Sequence, residues 1–508
     1  MALLLSILGA RAAAEDAAPA RQFAGLWTVG SRITAQAQQM LLVLAHADEL
    51  GLRPADYGAE PLAAAQVQLA SGLGSSEAVA AFDVQLTRGV LRYIHDAHFG
   101  RIDPRQVGFE LDAQRKPFDS QAMLLNLAHT DSVRETAASF EPQFYHYALL
   151  KAALFQYRAL ARNPPPILSV RPTQPIKVGD SYAQAPALRE FLIRLGDLPL
   201  SSRATAGPLT IDTPLEKGIL HFQARHGLKA DGALNLATFR ALTVPLEARV
   251  HQIELTLERW RWVPEFAAPP IIVNIPQFRL FAFRTLNDRK SEVLQMDVIV
   301  GRTFRAAHTP IFMAAMTSVI FRPYWQIPGG IVREEMLPKL VRQPNYLSAQ
   351  HLEIVANSDE VSPPLPLSSE TLGALRAGRL HLRQRPGPDN ALGLVKFSLP
   401  NPHDIYLHST PAPALFKESV RAFSHGCIRV SDPVALAVHV LRDTPGPWSA
   451  ESVREAMLGN ATRHVALAHP IPVLILYGTA FATEDGKIFF YDDLYGHDQK
   501  LAAALLGL

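Results

Sequence analysis

Apolar residues recur with a helical period through the first third of the chain. The segments Phe82–Ile94 and Tyr145–Leu160 repeat apolar residues every three or four positions, which predicts amphipathic helices. Gly51 follows a further helical stretch at the position of a left-handed helix cap. We interpret His95 and His98, near the first of these segments, as packed or solvated residues. Residues 15–163 are therefore predicted to form an α-helical scaffold domain.

A proline-rich linker over residues 164–177 ends the helical region, because its prolines cannot continue a helix. A compact module is predicted over residues 178–245. It contains a helix ending at Gly227, an Asp-Gly turn and a helix beginning near Asn235. Together with Phe222-Gln223, this pattern resembles the small three-helix peptidoglycan-binding domain. The same residues are core and turn positions, so the resemblance supports the fold more than binding.

Beyond a connecting helix predicted over 246–269, the pattern changes to that of strands. Six short runs are β-branched or alternate apolar with polar residues. They are Ile271–Ile275, Phe278–Phe283, Val293–Gly301, Thr317–Phe321, Leu394–Leu399 and Asp404–His408. Consecutive strands without intervening helices predict an antiparallel or mixed β sandwich. We place this mostly-β domain at residues 270–445.

Two further segments accompany the β domain. Residues 329–384 interrupt the strand pattern with helical patches near 334–340 and 369–377, which predicts an inserted cap or lid. Residues 446–508 contain a predicted helix and a hairpin turning at Asp485-Gly486. We expect this last segment to complete the β domain.

Charge and the N-terminus restrict the function classes. The net charge is +2, from 49 Lys and Arg against 47 Asp and Glu, so charge gives no reason to expect nucleic acid or an anionic membrane as partner. Residues 1–14 have an apolar stretch and small residues typical of a signal peptide, although no basic segment precedes them. A short core helix is the alternative. No other stretch has the length of a membrane span, so we expect an exported, soluble periplasmic protein.

The chain contains a single cysteine, Cys427, at the centre of the run Ser-His-Gly-Cys-Ile-Arg at 424–429. One thiol cannot form an internal disulfide and makes a poor metal site. The sequence signals no other metal or cofactor site, so we expect neither metal nor cofactor. A thiolate beside an imidazole is suited to nucleophilic acyl transfer. His408 and His425 are the candidate bases, and His408, at the end of a predicted strand, is preferred. The turn at Gly426 would let backbone amides reach an oxyanion.

These motifs resemble the catalytic motif of the L,D-transpeptidases of the YkuD type. His408 precedes the nucleophile by 19 positions (427 − 408 = 19), and further matches include Val300-Gly301, Thr309-Pro310, the run Pro-Tyr-Trp-Gln-Ile-Pro at 323–328 and Asn390–Gly393. The resemblance spans nearly the whole mature chain. It is nearest to a large periplasmic subgroup with a helical scaffold, a peptidoglycan-binding module and a capping insertion.

The sequence departs from the subgroup pattern at two positions. Arg322 replaces an expected asparagine, and Ser409 stands where aspartate is frequent. Neither change removes the nucleophile or the base. These departures concern substrate detail rather than the class of reaction.

The resemblance implies roles for the neighbouring residues and a specific reaction. Substrate contacts are expected from residues in and around the motif, namely Ser424, His425, Arg429, Tyr406 and Trp325. For Arg429, a substrate carboxylate, a brace for the turn and a plain surface position remain open. The implied reaction attacks the bond between diaminopimelate and D-alanine in a peptidoglycan tetrapeptide stem and forms a 3→3 cross-link. Carbapenem acylation of the thiol and docking of other cell-wall synthesis proteins are further expectations.

Three other functions remain open. Water as acceptor would make the protein an L,D-carboxypeptidase. A lipoprotein amine as acceptor would make it an enzyme that attaches lipoproteins to the wall. A non-catalytic wall-binding protein is the third, disfavoured by the intact Cys427 and His408.

Overall fold

The computed structural model describes residues 25–507 except 72–73, 113–116, 204–208, 287–292 and 344. The predicted signal segment, residues 1–14, lies outside the described residues. The chain divides into two compact units. One is Phe266–Leu476, and the other combines the residues before and after it. Among the described residues, no helix has the length and apolar character needed to cross a membrane.

The first unit is mainly helical, as its apolar periodicity predicts. It begins with the paired strands β1 (Thr28–Val29) and β2 (Arg32–Ile33). Its helices are α1 (Ala35–Ala45), α2 (Ala59–Ala70), α3 (Ser76–Phe99), α4 (Ser120–His129), α5 (Val133–Ala138), α6 (Tyr145–Arg162), α7 (Ala185–Arg194), α8 (Thr213–Arg225), α9 (Leu236–Leu242) and α10 (Leu246–Arg261). A core including Trp27, Phe82 and Leu127 joins the first of these helices.

Helices α7, α8 and α9 form the predicted three-helix module around a separate core. The Asn235 side chain caps α9 by accepting from the Thr238 amide at 2.9 Å. Gln223 is fully buried. Its amide nitrogen donates to the Ala233 carbonyl at 3.0 Å, and its oxygen accepts from the Gly232 amide at 2.9 Å. The glutamine of this motif therefore holds the turn between α8 and α9.

The second unit is built on short strands. These are β3 (Ile271–Asn274), β4 (Arg279–Ala282), β5 (Leu294–Gly301), β6 (Met313–Phe321), β7 (Trp325–Gln326), β8 (Leu352–Val355), β9 (His381–Gln384), β10 (Val395–Ser398), β11 (Leu407–His408), β12 (Ala422–Ser424), β13 (Ile428–Val430) and β14 (Arg463–Leu476). In the described part of the chain, nine of them form one sheet in the order β12-β5-β13-β11-β10-β6-β14-β3-β4.

This sheet closes on itself, because β4 pairs with β5 as well as with β3. The prediction of mixed pairing is confirmed: β11 runs parallel to β13 and β14 runs parallel to β3, whereas the other neighbours in the circuit are antiparallel. The prediction of a sandwich is wrong. The strands form one closed barrel-like circuit instead of two facing sheets, since β4 joins what would have been separate edges.

The insertion forms a cap with a core of its own. Strands β7, β9 and β8 pair antiparallel in that order, and Ile354 and Leu382 are fully buried in their core. The helical elements of the cap are α11 (Gly329–Ile331), a π-helical turn (Val332–Met336), α12 (Leu337–Arg342), α13 (Tyr346–Ala349) and α14 (Ser369–Arg376). The predicted helical patches are confirmed. The four-residue strands β8 and β9 were not predicted, because they lie within irregular sequence.

The side chain of Asn390 joins the two chain segments that connect the cap to the barrel. Its amide nitrogen donates to the Pro323 carbonyl at 3.2 Å on the entering segment. It also donates to the carbonyls of Gln384, at 3.3 Å, and Arg385, at 2.9 Å, on the leaving segment. Asn390 is almost fully buried. This residue of the Asn390–Gly393 motif thus fixes the base of the cap.

Arg322, the position where asparagine is expected, adopts a left-handed backbone with φ +49°. Asparagine enters this region more readily than arginine, because its short polar side chain bonds to the local backbone. The backbone is held by the Arg322 amide donating to the Leu394 carbonyl at 2.8 Å and by Thr462 Oγ1 donating to the Arg322 carbonyl at 2.8 Å. The departure from the family pattern therefore lies at a strained backbone position beside the cap.

The end of the chain corrects the domain prediction. After α15 (Pro433–Leu441) and α16 (Ala450–Leu458), the predicted hairpin forms as β15 (Ala480–Ala482) and β16 (Ile488–Phe490), followed by α17 (His497–Leu506). The residues from Tyr477 onward belong to the first unit. Gln252 of α10 donates to the carbonyls of Thr479 and Tyr491 at 2.9 and 2.8 Å. The hairpin therefore completes the helical unit rather than the β domain.

Candidate active site

Three adjacent barrel strands place the predicted catalytic residues on one face. Lys396 of β10 is the antiparallel partner of His408 in β11, and His408 is the parallel partner of Arg429 in β13. The amide of Ile428 donates to the Tyr406 carbonyl at 3.1 Å, which aligns Cys427 with Tyr406. Since side chains alternate between the faces of a sheet, Tyr406, His408, Cys427 and Arg429 share one face. The two strand ends are adjacent, as predicted, whereas a hydrogen bond between the thiol and the His408 ring stays a prediction.

Cys427 is half-buried and is hydrogen-bonded to Tyr406. Burial raises the pKa of the thiol, and hydrogen bonds from the backbone and hydroxyl of Tyr406, with the nearby charge of Lys396, act in the opposite direction. Sγ also lies 3.6 Å from the Asp404 carbonyl oxygen. The Tyr406 hydroxyl is hydrogen-bonded to Trp325 as well. Tyr406 thus connects the cap strand that carries Trp325 with the thiol.

His408 is buried and its ring is oriented by the backbone. Nδ1 donates to the Ser409 carbonyl at 2.6 Å, and the ring is also hydrogen-bonded to the Leu392 backbone. Burial, with the nearby charge of Arg429, lowers the pKa of His408 to about 3. In the described part of the chain no hydrogen bond joins His408 to Cys427, although the two lie on adjacent strands of the same face.

Ser409, where aspartate was expected, holds the loop before β10. Its hydroxyl accepts from the amides of Leu394 and Val395 at 2.7 and 3.1 Å and donates to the Leu392 carbonyl at 3.0 Å. The same residue supplies the carbonyl that fixes the His408 tautomer. The Ser409 side chain thus has a structural role here, since it links the backbone of residues 392, 394 and 395.

The turn before Cys427 is fixed by hydroxyl groups. Ser424 Oγ donates to the Cys427 carbonyl at 2.6 Å and accepts from the Gly426 amide at 3.2 Å. Thr309 is fully buried; its hydroxyl donates to the Gly426 carbonyl at 2.7 Å and accepts from the Gly301 amide at 2.8 Å. Gly426 has φ +117°, a conformation that other residues rarely adopt. The Ser424 side chain therefore stabilises the turn by hydrogen bonds to the backbone of Gly426 and Cys427.

His425 points away from the thiol's hydrogen-bond network and contacts the cap. Its Nε2 lies 2.6 Å from Glu335 Oε1 in the π-helical turn and 3.3 Å from an Arg302 nitrogen. The Glu335 and His425 side chains are about one-third exposed. A π-helical turn is frequent at functional sites. The structure therefore places His425 between the turn before Cys427 and the cap.

A cavity of about 230 Å³ lies between the cap and the barrel. It is lined by Trp325, Met336 and Tyr346 from the cap, and by Thr410 and Arg429 from the barrel. The Nε atom of Arg429 is buried without a hydrogen-bond partner among the described residues. Two residues predicted to bind substrate, Trp325 and Arg429, therefore line the same cavity.

Neither Lys396 nor the contact of Thr309 with Gly426 was predicted from the sequence. Lys396 looks like an ordinary polar position in an alternating strand, and only the register of β10 with β11 brings it to the site. Thr309 was noted as part of a Thr-Pro motif, but its hydroxyl contacts Gly426 across 117 positions of sequence. A side-chain contact at this separation cannot be read from local sequence pattern.

Comparison with protein families matches residues 269–447 to the L,D-transpeptidase catalytic domain and residues 19–154 to the Scaffold domain. Residues 269–447 are therefore similar to a YkuD-type L,D-transpeptidase catalytic domain, and the preceding segment 19–154 is similar to a Scaffold domain. A curated relative, the putative L,D-transpeptidase of Haemophilus influenzae (strain Rd), is 31% identical over 253 residues. The match covers 50% of this chain and 49% of the relative, so the chain spans about half the length of the curated relative it matches.

Proposed function

We propose that the protein is an exported, periplasmic enzyme that forms 3→3 cross-links in peptidoglycan through a thioester on Cys427. The observation that carries this proposal is the arrangement of Cys427, Tyr406 and His408 on one face of adjacent strands, within a domain of the L,D-transpeptidase family. The donor would be a tetrapeptide stem, and the acceptor would be the side-chain amine of a neighbouring stem.

In the first half-reaction, the thiol proton passes to Nε2 of His408 and the sulfur attacks the carbonyl that joins diaminopimelate to D-alanine. The ring is suited to accept a proton because Nδ1 is committed to the Ser409 carbonyl. Collapse of the tetrahedral intermediate breaks the carbon–nitrogen bond, and His408 returns the proton to the departing amine. A thioester and free D-alanine result.

The oxyanion of the intermediate would be bound at the nucleophile turn. The Gly426 amide donates to Ser424 Oγ and the Ile428 amide donates to the Tyr406 carbonyl. We therefore assign the Cys427 amide as the oxyanion donor. Gly426 contributes by allowing the backbone conformation that presents this amide.

In the second half-reaction, an acceptor amine attacks the thioester, gives up a proton to His408 and forms the cross-link. The carbon–sulfur bond breaks, and the proton held on His408 restores the thiol. No metal or organic group takes part in the steps proposed here. The low pKa of His408 keeps the ring neutral before each attack at neutral pH.

Around the thiol, we propose that Tyr406 and Trp325 orient the scissile bond and that Arg429 binds a carboxylate of the substrate in the cavity under the cap. Arg429 supports this role because its Nε is buried and unpartnered among the described residues. His425 and Ser424 would act through the shape of the turn. The three-helix module would hold peptidoglycan near the catalytic domain.

The purified protein, Cys427→Ala and the control Ser431→Ala are incubated with disaccharide-tetrapeptide and analysed by mass spectrometry. We expect wild type and control to form a dimer with loss of one D-alanine, and Cys427→Ala to form none. Tripeptide monomer alone would assign the chain as an L,D-carboxypeptidase under these conditions. If neither product forms and a carbapenem fails to add its mass to Cys427, the catalytic assignment is wrong.

A further inference from the structure

The surroundings of Cys427 and His408 disfavour the charged forms of both side chains, so the thiolate needs another stabilising group. Burial raises the pKa of Cys427 and lowers that of His408 to about 3. Both shifts favour the neutral thiol and neutral imidazole over a thiolate–imidazolium pair. A nucleophile in this setting needs a further positive charge or hydrogen-bond donor beside the sulfur.

Lys396 has the geometry to supply that charge. Its strand, β10, pairs with β11, and the register places Lys396 directly opposite His408, beside Tyr406. Lys396 Nζ lies 4.0 Å from the centroid of the Tyr406 ring, a cation–π distance. The hydroxyl of that ring is hydrogen-bonded to the thiol. The ammonium group of Lys396 therefore contacts the Tyr406 ring, and the hydroxyl of that ring is hydrogen-bonded to the Cys427 sulfur.

The charge of Lys396 is not neutralised by a neighbour. Within the described ranges, no carboxylate lies within ion-pair distance of Nζ, and the side chain is half-buried. Burial lowers the pKa of Lys396, whereas the charges of Cys427, Asp404 and Glu360 act in the opposite direction, and Glu360 is paired with His464 at 2.9 Å. An unpaired, partly desolvated ammonium beside a thiol acts more strongly than one in water.

We propose that Lys396 is a further functional residue of this site, whose ammonium group stabilises the thiolate of Cys427 and holds the Tyr406 ring in position to donate its hydroxyl hydrogen to the sulfur. It acts on the nucleophile and through Tyr406, without contact with the scissile bond. Other charges act on the same thiol. Asp404 opposes Lys396, and Arg429 carries a second cation on the same face.

The sign of the expected effect follows from the charge. A nearby cation favours the thiolate, so its removal raises the pKa of Cys427 and lowers the fraction of thiolate at neutral pH. Opposite charges at close range shift a pKa by about 1 to 3 units. A lysine with a purely structural role would alter stability or access to the thiol but would not move the pH midpoint of its reactivity.

The test measures the rate of iodoacetamide alkylation against pH in the full chain, where Cys427 is the sole thiol. Lys396→Met removes the charge and retains most of the side-chain length, and Lys396→Arg restores a cation. Lys417→Met removes an exposed lysine of the same unit and is the control. We expect the midpoint to rise by about 1 to 3 pH units in Lys396→Met and to stay near the wild-type value in the other two.

The inference is overturned if the midpoint of Lys396→Met equals that of wild type, or if Lys396→Arg shifts as far as Lys396→Met. A change only in the plateau rate at high pH, where every thiol is ionised, also overturns it, since that reports access. If the Lys396→Met variant does not fold, the alkylation midpoint of Lys396→Gln is measured in its place. The inference rests on Cys427 being the nucleophile, but alkylation needs no stem peptide, so its failure is distinct from failure of the cross-linking assay.

Discussion

The barrel and the cap contribute to the candidate active site by different physical means. In the barrel, backbone pairing between β10, β11 and β13 places Lys396, His408 and Cys427 on one face. The cap contributes through side-chain contacts, such as Glu335 with His425 and Trp325 with Tyr406. Position in the barrel depends on many cooperative hydrogen bonds, whereas each cap contact depends on one pair. Substitutions of barrel residues should therefore lower the reaction rate more than substitutions of cap residues.

The two histidines near the nucleophile provide the sharpest form of this comparison. His408→Gln removes the proposed base from the barrel face, and we expect turnover of a tetrapeptide substrate to fall by about 10²–10⁴-fold. His425→Gln changes only the contact with the cap, and we expect less than about a tenfold loss. Steady-state kinetics of both variants test the assignment. Equal losses of turnover in the two variants would contradict the assignment of His408, and not His425, as the base.

The hydroxyl of Thr309 joins two barrel segments and should have the next largest effect. Thr309→Val retains shape but removes the hydrogen bonds to Gly426 and Gly301, which should lower the free energy of unfolding by about 1–3 kcal/mol. Acylation of Cys427 by a carbapenem should slow as the turn loosens. Urea unfolding and intact-mass kinetics measure the two effects, with the exposed Thr303→Val as control. An unchanged acylation rate would contradict the role given to the turn.

The contact between Glu335 and His425 should have the smallest effect, because both side chains are partly exposed. Glu335→Gln should change KM by no more than about fivefold, which corresponds to the usual range of about 0–1 kcal/mol for such pairs. High salt should reduce the difference from wild type. Glu334→Gln, at an exposed neighbouring position, is the control. A loss as large as that of His408→Gln would show that the cap takes part in chemistry.

Local sequence pattern identified the parts of the site that lie close together along the chain. The run at 424–429 and the histidine at 408 follow from residue type, since a lone thiol and an imidazole suit acyl transfer. The helices, the Asn235 cap and the Asp485-Gly486 hairpin follow from local propensities. Such features depend on neighbouring residues, which is why they can be predicted from one sequence.

Features that depend on long-range pairing could not be predicted. Closure of the barrel needs pairings such as that of Val473 in β14 with Ile271 in β3, which are 202 positions apart (473 − 271 = 202). The register that sets Lys396 opposite His408 is likewise not given by the alternation of apolar and polar residues alone. The hairpin itself was predicted, but its place in the helical unit is set by Gln252, more than 220 positions earlier. Short strands such as β8 and β9 offer too few residues for their alternation to be recognised.

The base of the cap has a consequence for how this protein can change over evolution. Both connections to the barrel begin at neighbouring antiparallel strands, β7 and β9, and the single amide of Asn390 joins them. The cap also has its own hydrophobic core. A segment whose ends are adjacent and whose interior is self-sufficient can be lengthened, shortened or exchanged without opening the barrel. Lineages can therefore diversify the entrance to the active site while the strands beneath it stay fixed.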